Sequence, residues 1–138
     1  MTRTLDQLHR LRAHQRREAT VALRDAEAEL ARQDARVEAL ASSMARARAA
    51  TNLGDPADVA TWSSWRLQAE LTGRRELARL AQKARDVELA GAKHRRAVMD
   101  ELALAAVRDA RLEAEMEVVK RSEAVRMDAI AARGRRAA

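Results

Sequence analysis

Three histidines, His9, His14 and His94, are the side chains best suited to hold a metal or move a proton. A helical metal pair needs its ligands at i and i+4, so that both imidazoles stack on one face. His9 and His14 are five residues apart and do not meet that spacing. The chain has no Cys, which removes thiolate ligands, thiol nucleophiles and disulfides and points to a reducing compartment. Nor does it offer a Ser, His and Asp constellation, a Gly-rich phosphate loop or a carboxylate pair that could share a pocket. No cofactor, metal or catalytic residue is therefore expected, and the chain reads as non-enzymatic.

Two other kinds of residue could do chemistry by binding. Trp62 and Trp65 are the only aromatics and stand one helical turn apart. Trp is a common interface anchor, although a Trp on a helical seam also serves as core. Arg16-Arg17, Lys93 to Arg96 (KHRR) and Arg133 to Arg136 (RGRR) form basic clusters. Neighbouring arginines fan out around a helix and mostly make solvated flanks. Basic and acidic groups number 10 and 7 over residues 1–50, 9 and 7 over 51–100, and 8 and 7 over 101–138, so the net +6 is spread along the chain. Without interleaved aromatics or a groove-reading motif, nucleic acid is not the expected partner.

The elements that carry these residues follow from composition. A chain of 138 residues with two aromatics and 35% charge, rich in Ala, Arg, Glu and Leu, cannot fill a thick core but can fill a thin helical seam. The expected class is all-α: a two-helix antiparallel coiled-coil hairpin whose C-terminal helix overhangs the N-terminal one. The strong breakers cluster at Thr51-Asn52-Leu53-Gly54-Asp55-Pro56. Asp55 reads as an N-cap, Pro56 as the first helical residue and Asp58 as a favourable charge in the first turn. Helix 1 is expected over about 4–50, the turn over 51–55, helix 2 over about 56–132, and a frayed tail over 133–138, all in one domain. The opening MTRTLDQLHRLRAHQRR has no signal-like apolar stretch, and the longest apolar run, Leu102 to Val107, is too short to span a bilayer. A cytoplasmic chain is expected.

A shared register tests the hairpin. Read back from the turn, helix 1 offers Ala47, Met44, Leu40, Val37, Gln33, Leu30, Ala26 and Leu23 at alternating steps of three and four. Read forward, helix 2 offers Val59, Trp62, Arg66 (or Trp65), Ala69, Gly73, Leu77, Leu80 and Ala84. In that order the residue numbers of each pair add to 106 or 107. Ala19 with Val87, Arg12 with His94, Leu8 with Val98 and Leu5 with Leu102 continue the seam after an extra four-residue step. Gln33 against Gly73 is its polar layer. Helix 2 then runs on for roughly 30 residues, about 45 Å. Its stripe of Ala105, Leu112, Met116, Val119, Met127 and Ile130, interrupted by Asp109 and Glu123, has no mate in the chain and suggests a protein-binding surface.

The sequence resembles the flagellar FliJ family and its injectisome counterparts, the YscO-like (SctO) proteins of type III secretion. The likeness covers nearly the whole chain. LDQLHRLRAHQRREATVALRDAEAEL, from Leu5 to Leu30, is similar to the family's opening of paired leucines, an Arg- and Glu-rich turn and an alanine-rich helix. Trp62 and Trp65 stand where the family places aromatics after the turn. Val87-Glu88, KHRRAVMDEL from Lys93 to Leu102, and Met127-Asp128-Ala129-Ile130 resemble its C-terminal pattern of acidic and aliphatic groups. Ala129 stands where an acidic residue is common, and tyrosines are missing.

The resemblance implies an export-apparatus stalk, similar to the central subunit of rotary ATPases, set in a hexameric export ATPase and reaching the export gate. In that picture Leu112, Met116, Val119, Met127 and Ile130 meet the ATPase, while Trp62 and Trp65 meet the gate protein. Export chaperones are further candidate partners. Such a stalk is monomeric alone and lies at the inner membrane only through its partners, in a flagellar or an injectisome system. The competing classes are a homodimerising coiled-coil tether and a basic helical nucleic-acid-associated protein.

Overall fold

Asn52 begins the reversal of the chain by folding its side chain over the turn. Its Oδ1 accepts from the Gly54 N–H at 3.0 Å and its carbonyl from the Asp55 N–H at 3.1 Å, a local alternative to helical pairing that Asn readily supplies. Just before it, the Thr51 hydroxyl donates to the Ala47 carbonyl at 2.8 Å and the Thr51 N–H to the Arg48 carbonyl at 3.3 Å, which occupies last-turn carbonyls that helices otherwise leave open. Just after it, Asp55 caps the next helix: Oδ1 accepts from the Ala57 N–H at 3.0 Å and the carbonyl from the Val59 N–H at 3.1 Å. The Asp58 carboxylate closes the turn by accepting the Asn52 N–H at 3.0 Å.

The computed structural model describes residues 2–137. It is all-α: α1 (Thr2–Ala50) and α2 (Pro56–Ala137) are in contact as an antiparallel two-helix hairpin with the longer helix C-terminal. α2 runs past the expected end near 132 and through the tail that was expected to fray; Ala138 lies outside the described residues. The helix continues because Gly134 sits in open space and takes no positive φ, and no proline follows. Even in a helix interior one glycine costs only about 1 kcal/mol, and this close to the end it costs far less, too little to force a stop. No helix is long and apolar enough to cross a membrane among the described residues.

The chain divides into two compact units, residues 17–96 and residues 2–16 with 97–137. In the first, the less exposed residues of α1 include Ala19, Leu23, Ala26, Leu30, Gln33, Val37, Leu40, Met44 and Ala47, an unbroken alternation of four and three. Those of α2 include Val59, Trp62, Ala69, Gly73, Glu76, Leu80, Lys83, Val87, Ala90 and His94. Leu77 and Ala84, expected in the seam, lie exposed, as do both Arg66 and Trp65. The strict alternation gives the two places to Glu76 and Lys83, and both charges find partners across the seam. Glu76 meets the buried Gln33, whose Nε2 donates to the Glu76 carbonyl at 3.0 Å and to Oε2 at 2.5 Å. Lys83 Nζ stands 3.9 Å from a Glu29 carboxylate oxygen.

Pairing across the seam also departs from the expected register. Leu40, not Gln33, packs over Gly73, with Cδ2 3.6 Å from where a Cβ would stand. Leu23 Cδ1 lies 3.9 Å from the corresponding point on Gly91, while Ala84, its expected mate, is exposed. Leu side chains lean toward the N-terminus of their own helix, which in α1 is away from the turn, so each reaches further along α2 than counting from the turn suggests.

In the second unit Leu5, His9, Arg12, Ala13 and Arg16 are the less exposed residues of α1, and Ala97, Val98, Asp100, Glu101, Leu104, Ala105 and Arg111 those of α2. His9 takes the place expected for Leu8, and Leu102 is 59% exposed. Ion pairs carry much of this contact: Arg12 to Asp100 at 3.3 Å, Arg16 to Glu101 at 2.5 Å and Arg108 to Asp6 at 3.5 Å. Leu5 borders Arg108, Arg111 and Leu112 instead of facing Leu102.

Candidate docking surfaces

Beyond Arg111 every described residue of α2 is exposed. The predicted stripe lies in this stretch, with Leu112 47%, Met116 59%, Val119 55%, Met127 64% and Ile130 55% exposed. Leu112, Met116 and Val119 line one shallow, mainly apolar depression with Glu115 and Lys120. Leu112 also touches the depression that Leu5 lines, so the stripe without an intrachain neighbour starts at Met116. Val118 and Val125 are exposed as well. At about 3.6 residues per turn both fall on the far side of the helix from Met116 and Ile130, so the periodic stripe does not include them. The helix here is held by its own backbone bonds and by intrahelical pairs such as Arg111 with Glu115 at 3.7 Å and Lys120 with Glu117 at 3.9 Å. Such exposed pairs contribute about 0 to 1 kcal/mol each.

The second surface lies at the turn. The Trp62 and Trp65 rings stack with centroids 5.5 Å apart and planes at 30°, an offset arrangement that aromatic pairs favour. Trp62 is half-buried on the seam beside Met44, as expected, while Trp65 is 37% exposed. Both line a cleft with Ala47, Ala50, Thr51 and Asp58. Arg66 holds Glu70 at 3.2 Å on the flank. Leu53, in the turn, is 83% exposed and shares a depression with Trp62. A breaker-rich turn hides such a residue from any periodic reading.

Among the described residues no group of three or more His, Cys, Asp and Glu side chains could hold a metal ion. His9 and His14 fall on different faces, one half-buried and one exposed, and the His9 Nδ1 finds no hydrogen-bond partner among the described residues. Glu29 sits among arginine and lysine side chains. Its carboxyl is held below the usual carboxylate range first by the hydrogen bond from Arg32, then by the charges of Arg32, Lys83 and Arg36. That is the behaviour of an exposed ion-pair cluster.

No known family, characterised protein or solved structure is matched by this chain.

Proposed function

We propose that the chain is a non-enzymatic stalk or adaptor of a flagellar or type III protein export apparatus. Its C-terminal stripe enters a hexameric export ATPase, and its Trp-bearing turn reaches the export gate protein. The observation that carries the reading is the exposed stretch from Met116 onward, a ready-formed helix whose apolar residues its own chain leaves uncovered. An apolar stripe on a preformed helix suits insertion between partner helices, because its ordering entropy is already met. The resemblance of Leu5 to Leu30 and of the Met127 box to the FliJ and YscO-like proteins supplies the identity of the partner. Attachment at the inner membrane would then come through these partners, and export chaperones could share the exposed faces.

The test is binding of the full chain to a purified hexameric export ATPase. Met116→Asp with Ile130→Asp places two charges inside the apolar contact and should abolish binding while leaving helicity unchanged, since both side chains are exposed. Trp65→Ala should weaken binding to the gate protein and spare the ATPase. Undiminished ATPase binding by the Met116 and Ile130 double variant would dismiss the stalk assignment of this segment.

A further inference from the structure

The charges around the uncovered stripe are segregated along it. Residues 112–118 contain Glu113, Glu115 and Glu117 and no base, whereas residues 129–137 contain Arg133, Arg135 and Arg136 and no acid. Each tail arginine has no acidic residue within four positions, so intrahelical pairing cannot neutralise it. Between the blocks, an alternation of three and four starting at Met116 selects Met116, Val119, Glu123, Arg126, Ile130 and Arg133, with Met127 beside Arg126.

This pattern is self-complementary in one direction. Laid antiparallel on itself, it sets Val119 against Ile130, Met116 against the stem of Arg133, and Glu123 against Arg126, each pair occurring twice by two-fold symmetry. The acidic block of each copy then runs beside the Arg tail of the other. Laid parallel, it sets Glu123 on Glu123, Arg126 on Arg126, acid block on acid block and tail on tail, which like-charge repulsion disfavours. We infer that the exposed C-terminal segment of α2 is an antiparallel docking surface for the same segment of a second copy of this chain.

The contact spans 18 residues, about 27 Å of helix, all beyond the part of α2 that α1 covers. An isolated peptide of that length is marginally helical, but here it continues an 82-residue helix and is already folded. The apolar pairs are few, so association is reversible and concentration-dependent. Oxidation, metals and an ATPase ring play no part in it, and it is measured on the chain alone. Where a ring takes Met116, Val119 and Ile130, the two occupants exclude each other, and the dimer of the chain alone stands against the lone monomer that the stalk resemblance implies.

Sedimentation equilibrium of the full chain at about 100 µM in low salt should show a dimer that dissociates toward monomer as salt rises and screens the charge blocks. Reversing the acidic block with Glu113→Arg, Glu115→Arg and Glu117→Arg should weaken the dimer at least about tenfold. Adding Arg133→Glu, Arg135→Glu and Arg136→Glu to the same chain should restore it. Direction is read by disulfide trapping, clean in a chain without Cys: Val119→Cys mixed with Ile130→Cys should give the mixed dimer far faster than either variant gives its own. A monomer at that concentration in low salt, no restoration by the double reversal, or Val119→Cys crosslinking preferentially to itself would each overturn the inference. Circular dichroism on every variant keeps loss of fold apart from loss of pairing.

Discussion

Replacing Gly73 with Ala should stabilise the hairpin, and by an amount that reports which α1 residue lies over it. Two contributions add. Ala is favoured over Gly in a helix interior by about 0.8–1.0 kcal/mol, partly through the entropy of the unfolded chain. The new methyl also meets Leu40 Cδ2 at 3.6 Å, an ordinary van der Waals contact rather than a clash. A fully buried methylene contributes about 0.8 kcal/mol, and the half-buried surroundings of Gly73 reduce that to roughly 0.4 kcal/mol. The expected total is about 1.3 kcal/mol, which for a chain of this size raises Tm by roughly 4–6 °C.

Thermal and urea unfolding followed by far-UV circular dichroism measure it. In a Leu40→Ala background the contact vanishes and the gain should fall to about 0.9 kcal/mol. A Gln33→Ala background should leave the contact part of the gain intact, because Gln33 is engaged with Glu76 rather than Gly73. Gly134→Ala is the control: nothing lies within 4 Å of its added Cβ, and at a helix end the gain should be near zero. A lower Tm for Gly73→Ala would mean that the helices approach more closely than Leu40 allows. A gain that responds to Gln33→Ala instead of Leu40→Ala would restore the register counted from the turn.

Three further outcomes test the same arrangement. Gln33→Ala removes both donations to Glu76 and leaves Arg79 as the partner of a carboxylate whose side chain is only 16% exposed; the loss should be about 1–2 kcal/mol, read by denaturant midpoint, and no loss would show the polar layer to be open to water. Leu23→Cys with Gly91→Cys should crosslink well before Leu23→Cys with Ala84→Cys, since disulfides need Cα atoms within about 7 Å and Ala84 lies exposed; the reverse order would refute the observed pairing. Glu29 has a lowered folded-state pKa, so its contribution is present above the unfolded carboxylate pKa and is lost as pH falls through the folded one. The Tm difference between the native chain and Glu29→Gln should therefore shrink on acidification below about pH 4.3, and a difference that grew instead would contradict the pairing with Arg32 and Lys83.

The sequence showed the turn almost atom by atom, because Asn, Gly, Asp and Pro act through their own backbone and side-chain geometry. It showed the α1 face equally well, since Leu23, Ala26, Leu30, Val37, Leu40, Met44 and Ala47 are apolar and follow one alternation. It failed on α2 at Leu77, Ala84 and Leu102, each an apolar residue beside the true seam position. Glu76 and Lys83 occupy the seam because partners on α1 satisfy them, and no single-helix pattern reveals a partner on the other helix. The stripe was legible through Met116, Val119, Met127 and Ile130 for the same reason as the α1 face. Val118, Val125 and Leu53 were not, because an exposed apolar residue off the periodic face leaves no signature.

The balance of forces in the seam explains why a long stretch of α2 can remain unpaired. Only Gln33, Ala69 and Gly91 are buried among the described residues, so burial contributes thinly along the whole contact. A structure with so little core needs most of its order from the helices themselves. The composition supplies it: Ala, Leu, Arg and Glu lie at the top of the helix-propensity scale, and pairs such as Arg66 with Glu70 and Arg79 with Glu76 add local support. Order that comes from local propensity does not stop where α1 ends, and α2 stays helical from Met116 to Ala137 with every residue exposed. The exposed segment is thus rigid before it meets a partner, and association loses less to ordering than a disordered tail would. Placing Gly at Val118 and Val125, off the stripe, should therefore weaken any partner of this segment without touching a contact residue. If binding proved indifferent to those two glycines, the segment would be ordered by its partner and not by its own sequence.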